Sequence, residues 1–149
     1  MKQLKHFISR FTNKDIFNED LIVIHDKQYF YQSKKLQKTI SKIPTKTNFA
    51  GQLLGRIIRG QFHVTLSLLE HIQAHTTQKI KLDEKQAWLF TCKRDIFQSK
   101  DIKDETTKNI ILVLDSDDIV IGLAKKQTVK GKQLYTPIYD IGEFMRREK

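Results

Sequence analysis

The stretch Asn109–Lys126, NIILVLDSDDIVIGLAKK, decides how this chain folds. Two apolar runs rich in Ile, Leu and Val flank the polar segment Asp115–Asp118. β-Branched runs bounded by Asp and Ser clusters make strands, and two of them across a short polar turn make a β-hairpin. Further along, TVKGK turns again around Gly131 into QLYTPIY, which adds a third strand. Closely spaced strands of this kind suggest a small barrel. KQAWLFTC (85–92) is read as opening the strand series, and DIFQSKDI (95–102) as holding a helical turn.

The chain closes on IYDIGEFMRREK (138–149). Asp140 suits an N-cap and Glu143 stands three residues on, as in a capping box, with Tyr139 and Phe144 placed for a hydrophobic staple. Ile141, Phe144 and Met145 share one helical face, while Arg146, Arg147 and Lys149 suit the negative end of the helix dipole. The expectation is a short helix that closes the barrel.

The first half has a different period. KQLKHFISRF is an amphipathic helix, with Leu4, Phe7, Ile8 and Phe11 recurring at spacings of three and four. LIVIH and QYFY are strands joined by the turn Asp26-Lys27. Ser33 caps a helix through Ile43, whose Leu36, Ile40 and Ile43 stripe lies opposite Lys35, Lys38 and Lys42. GQLLGRII follows as a strand, and TLSLLEHIQ as a helix with a Ser67–Glu70 capping pattern. The change of period falls near Gln78, which divides the chain into a mixed α/β domain over residues 1–77 and a small β-barrel over 78–149. The fold class is α/β in the α+β sense.

Composition narrows the function. The 149 residues are 39% hydrophobic and 30% charged, as in folded soluble proteins. No apolar run approaches the roughly 18 residues of a membrane span, and the charged N-terminus lacks a secretory apolar region. The single cysteine, Cys92, excludes an internal disulfide and suits a reducing compartment. Lys and Arg number 27 against 17 acids, for a net charge of +10. No acid occurs between Asp26 and Glu70, and Lys125, Lys126, Lys130 and Lys132 are the only charged residues between Asp118 and Asp140. Segregation of this kind makes basic surfaces that attract polyanions.

Catalytic patterns are scarce. Gly51, Gly55 and Gly60 match neither a P-loop nor a dinucleotide fingerprint. His71 and His75 lie four apart, but no further ligand pattern completes a metal site. Cys92 precedes Lys93 and Arg94 yet has no evident His partner, and His63 is read as setting up the helix after it. The expectation is a protein with no enzymatic activity, cofactor or metal. Binding chemistry is better supplied: Lys125, Lys126, Lys130 and Lys132 gather on one hairpin, with Tyr135 and Tyr139 close by in sequence as core or as stacking surfaces. Arg146 and Arg147 serve the helix end, phosphates or both. No helix-turn-helix, zinc finger or basic zipper pattern occurs, and RNA is the expected ligand.

ILVLDSDDIVIGLA followed by IYDIGEFMRRE resembles the end of a PUA domain, and the whole chain resembles the Nip-seven family of large-subunit ribosome biogenesis factors. The family's Asp-Ile/Val-Gly-Glu-aromatic ending with its basic pair is matched by Asp140–Arg147, and its apolar-Leu-aromatic segment by AWLFT. Upstream, its Gly-x-x-x-Gly-Lys/Arg pattern is matched by Gly51, Gly55 and Arg56, and its Phe…His-Val-Thr…Leu pattern by QFHVTLSLL. The resemblance implies an N-terminal α/β domain and a C-terminal PUA barrel that binds U- or A-rich single strands of pre-ribosomal RNA without catalysis. It implies other assembly factors, including exosome components in some lineages, as partners of a monomer that does not bind membranes. The compact length resembles archaeal members, which implies the cytoplasm; a eukaryotic source would imply the nucleolus. Where archaeal members carry extra basic residues in the last strand, this chain has QLYTPIY, which moves the expected contacts to Lys130 and Lys132. The alternative is an RNA-binding accessory subunit of an RNA-modification or exosome complex.

Overall fold

The computed structural model describes residues 1–46 and 50–142. The chain divides into two compact units, Met1–His75 and Thr76–Lys149. The first is built on a four-stranded antiparallel meander, β1 (Ile22–His25), β2 (Gln28–Tyr31), β3 (Gln52–Ile58) and β4 (Gln61–Val64), in that spatial order. Asp26 and Lys27 take φ of 45° and 62°, so the first hairpin has the left-handed two-residue turn that matches strand twist. Helix α1 (Lys2–Ser9) packs on β4 and α3 (Leu66–Gln73) on β3, while α2 (Lys34–Ile40) follows β2. Leu4, Phe7 and Phe11 are buried, and Phe62 lies 5.4 Å from Phe7 and 5.7 Å from Tyr29 between ring centroids. Three of the four residues at helical spacing in 2–11 therefore face the core, while Ile8 is half-buried.

Three details of this unit differ from the expectations. The second helix ends at Ile40, three residues short of Ile43, and residues 41–43 continue as tighter turns, with Lys42 N bonded to Thr39 O and Ile43 N to Ile40 O. Ser67 does not cap the third helix: Thr65 holds the cap position and its Oγ1 donates to Leu53 O at 2.6 Å. Ser67 Oγ is buried without a hydrogen-bond partner among the described residues. His63 belongs to β4 opposite Arg56, because the Gly60 turn starts a strand before the helix.

The second unit holds a five-stranded sheet that curls as a half-barrel. Its strands are β5 (Lys79–Lys81), β6 (Ile96–Phe97), β7 (Ile110–Leu114), β8 (Val120–Val129) and β9 (Lys132–Asp140), in the order β5-β7-β8-β9-β6. Strand β5 pairs parallel with β7; the other pairings are antiparallel. The hairpin of β7 and β8 is the one read from Asn109–Lys126, and Asp115 makes its turn by accepting from Asp117 N and Ile119 N, both at 2.9 Å. Gly122 is required where β8 and β9 approach: a Cβ there would lie 2.0 Å from the Tyr139 carbonyl oxygen.

KQAWLFTC is not a strand but most of helix α4 (Glu84–Thr91). Asp83 accepts from Gln86 N at 2.8 Å and Gln86 returns the bond to Asp83 N at 3.1 Å, a reciprocal capping box that overrides the β propensity of the Trp-Leu-Phe run. Ala87 and Phe90 are buried three apart while Trp88 is 64% exposed, a helical and not an alternating pattern. In DIFQSKDI, Ile96 and Phe97 pair with Tyr135 and Leu134, and the helical turn shrinks to the bond from Ile102 N to Ser99 O. The core joins Ile80, Leu82, Phe90, Ile96, Ile102, Ile111, Val113, Ile121 and Tyr135. Burying a large apolar side chain of this kind contributes roughly 1.5–3 kcal/mol each. Asp140 ends β9, paired with Gly122 and buried, and Ile141 N bonds to Ile121 O. The expected closing helix falls mostly on residues 143–149, outside the described residues.

Candidate nucleic-acid interface

Alternation along β8 separates the hairpin lysines. Tyr135, Ala124 and Ile111 point into the core, and Lys126, paired with Tyr135 in the ladder, shares their face. Lys125, Gln127 and Val129 therefore point outward, and their ladder partners Thr136, Leu134 and Lys132 share that face, where Leu134 is itself buried. Lys130 and Gly131 form the turn beyond, with φ of 49° and 74°. Lys125, Lys130 and Lys132 are exposed and, among the described residues, none is ion-paired.

Lys126 is occupied elsewhere. Its ammonium lies 2.7 Å from Asp104 Oδ2 and also donates to the Thr106 carbonyl. Its side chain is 15% exposed and that of Asp104 2%, so this cation neutralises an interior carboxylate and is not available at the surface. The Tyr135 hydroxyl donates to the same Asp104 Oδ2 at 2.7 Å and lies beside Gln98. Burial, and then the hydrogen bond and charge of Asp104, push the Tyr135 phenol well above its ordinary value, so it remains a neutral donor. Tyr135 is thus a core residue and offers no stacking surface; Tyr139 is half-buried at the bulge opposite Leu123. Arg146 and Arg147 lie outside the described residues.

The structure supplies a different aromatic. Phe97 pairs with Leu134 across β6 and β9, which puts it on the outer face in the Gln127–Leu134 row. It is 59% exposed. The Lys125–Thr136 row lies on one side of that row and the Val129–Lys132 row on the other, each about 7 Å away along the strands. Gln127 Nε2 donates to Thr136 Oγ1 at 2.8 Å, fixing an amide and a hydroxyl in the same surface. Asp95 precedes β6 by one residue and brings a carboxylate to the margin. No sequence signal separates the adjacent apolar pair Ile96-Phe97; the pairing with β9 is what buries Ile96 and leaves Phe97 exposed. An exposed ring between cation rows can stack a base while lysines meet the phosphates on either side.

His71 Nε2 lies 2.8 Å from Gln52 Oε1, and its ring packs edge-on against Phe17 and Tyr31, at 4.9 and 5.7 Å between centroids. Among the described residues no group of three or more His, Cys, Asp or Glu side chains is arranged to hold a metal ion. Cys92 is exposed at the C-cap of α4. No helix of the described residues is long and apolar enough to cross a membrane.

A mixed α/β unit followed by a curled half-barrel sheet with a basic outer face is the architecture of a PUA-type protein. Comparison with protein-family models matches residues 1–66 to the NIP7/UPF0113 pre-PUA domain and residues 78–149 to the UPF0113 PUA domain. The chain therefore belongs to the NIP7/UPF0113 family. A search of curated proteins returned no match.

Proposed function

We propose that the chain is a non-catalytic RNA-binding factor that takes part in maturation of the large ribosomal subunit. Its C-terminal PUA domain supports RNA binding. The observation that carries the proposal is the outer face of β8, β9 and β6, where exposed Phe97 lies between the rows of Lys125 and Lys132. Lysine ammonium groups meet phosphates as point charges, and an aromatic face accepts any base, so this surface favours an unpaired strand over groove reading. A U- or A-rich single strand of pre-ribosomal RNA is the proposed ligand, other assembly factors are the proposed partners, and the cytoplasm is the proposed compartment. Membership of the NIP7/UPF0113 family supports this reading.

The test is titration of labelled U-rich single strands and of duplex RNA across a salt series. Single strands bind more tightly than duplex, and the three exposed hairpin lysines contribute a log–log salt slope of roughly −2, at about −0.7 per phosphate. In extracts, the protein sediments with precursors of the large subunit and not with mature ribosomes. A flat salt response or a preference for duplex overturns the interface; sedimentation away from ribosomal precursors overturns the ribosomal assignment alone.

A further inference from the structure

Helix α2 carries charge that its own unit does not balance. Lys34, Lys35, Lys38 and Lys42 fall within about 100° of arc on the helix and its continuation, spread over roughly 12 Å. All four are exposed, and none is ion-paired among the described residues. Lys34–Lys38 and Lys38–Lys42 are like-charge pairs at i,i+4, which weaken a helix. No acid lies between Asp26 and Glu70 to offset them; upstream, Glu19 is already paired with Lys5, and Asp20, whose carbonyl accepts from Gln37, makes no ion pair with these lysines among the described residues.

The rest of the helix does little to bury it. No residue of α2 is buried, and it is held by the Ser33 cap to Leu36 N at 3.2 Å and the bond from Gln37 Nε2 to Asp20 O at 3.0 Å. Ile40 reaches a hollow that it shares with Val23, Ile24 and Phe30, on the side away from the lysines. A surface that serves only solubility intersperses both signs. This one concentrates a single sign on one face of a helix that tertiary packing barely secures.

We propose that the lysine face of α2 is a second contact for the RNA backbone, in the first unit and separate from the hairpin face. It rests on the reading that this protein binds RNA. Phosphates are the complementary charge, and four ammonium groups along one helix face follow a backbone without reading bases.

The experiment compares three full-length proteins: wild type, the variant with Lys34, Lys35, Lys38 and Lys42 changed to Gln, and the variant with Lys125, Lys130 and Lys132 changed to Gln. Each is titrated with a long labelled oligouridylate across a salt series and, in parallel, with polyglutamate. Circular dichroism and thermal melts confirm folding, and Gln matches Lys in helix propensity. The α2 variant is expected to bind oligouridylate about tenfold more weakly near 100 mM salt, with a slope shallower by roughly 2 to 3. If the α2 variant keeps wild-type affinity and slope while the hairpin variant is weakened, the second contact is overturned and the hairpin interface stands. If only the hairpin variant keeps wild-type binding, the hairpin interface falls and the α2 contact stands. Loss of polyglutamate binding alone assigns α2 to an acidic protein partner and overturns the proposal. Absence of RNA binding in wild type removes both.

Discussion

The ammonium of Lys126 lies 2.7 Å from the Oδ2 of Asp104, inside the fold, while its chain neighbour Lys125 is exposed at the surface. Two adjacent lysines of one motif thus have different physical roles. Lys126→Ala leaves a buried carboxylate unpaired and is expected to cost about 3 kcal/mol in chemical denaturation. RNA affinity of the protein that remains folded is unchanged. The combined change of Lys125, Lys130 and Lys132 to Ala does the reverse: the melting temperature barely moves and RNA affinity drops several-fold. A Lys126→Ala protein that melts like wild type but binds RNA poorly contradicts the assignment.

Phe97→Ala removes the exposed ring between the cation rows. Loss of one stacked base weakens single-strand binding by about 1–3 kcal/mol, read as a shift in the titration midpoint. Phe97→Trp restores binding because the stacking surface is kept. Because the ring is 59% exposed, stability changes little in either variant. Weakening by both substitutions alike shows that Phe97 does not stack a base.

Asp95→Asn removes a carboxylate at the margin of the same face. RNA binding strengthens slightly at low salt, and the difference disappears at high salt, where the phosphate repulsion is screened. Titrations at two ionic strengths decide it: equal affinities for wild type and variant at low salt place Asp95 away from the bound strand.

His71 makes the first unit sensitive to acid. Burial against Phe17 and Tyr31 holds its pKa below 6.5; Glu70 opposes that effect and His75 adds to it. A ring with a lowered folded pKa binds fewer protons folded than unfolded, so its contribution to stability is full above pH 6.5 and is lost as pH falls below it. Melting curves from pH 7.5 to 5 are expected to fall less steeply for His71→Asn than for wild type. Parallel curves for the two proteins show that His71 does not titrate between the states.

Gly122 has no room for a side chain, with the Tyr139 carbonyl oxygen 2.0 Å from where a Cβ would lie. Gly122→Ala separates β8 from β9 at the bulge and is expected to cost at least ~2 kcal/mol. The cost appears as a lowered melting temperature and as weakened RNA binding through disorder of the hairpin. A variant as stable as wild type shows that the two strands can part there without loss.

The sequence by itself determined the elements whose signals are local. Asp26-Lys27 and Lys130-Gly131 are turns because short polar or Gly-containing pairs between apolar runs leave few other conformations, and both adopt positive φ. Leu4, Phe7 and Phe11 form a core stripe because their spacing allows only one helical face. Ordered motifs in both halves likewise point to the family. What only the tertiary structure decided are contacts between residues far apart in the chain. Trp88 is the exception: the Asp83–Gln86 capping box that starts a helix there is itself local, three residues apart, and the Trp-Leu-Phe run masks it. Lys126 reads as a surface cation until Asp104, 22 positions earlier, meets it in the core. Phe97 becomes a surface platform only because β9 returns beside it after the whole β7–β8 hairpin has been laid down. Periodicity fixes which residues share a face of one element; which face turns inward, and which charge finds a partner, depends on strand pairings and loops that span tens of residues.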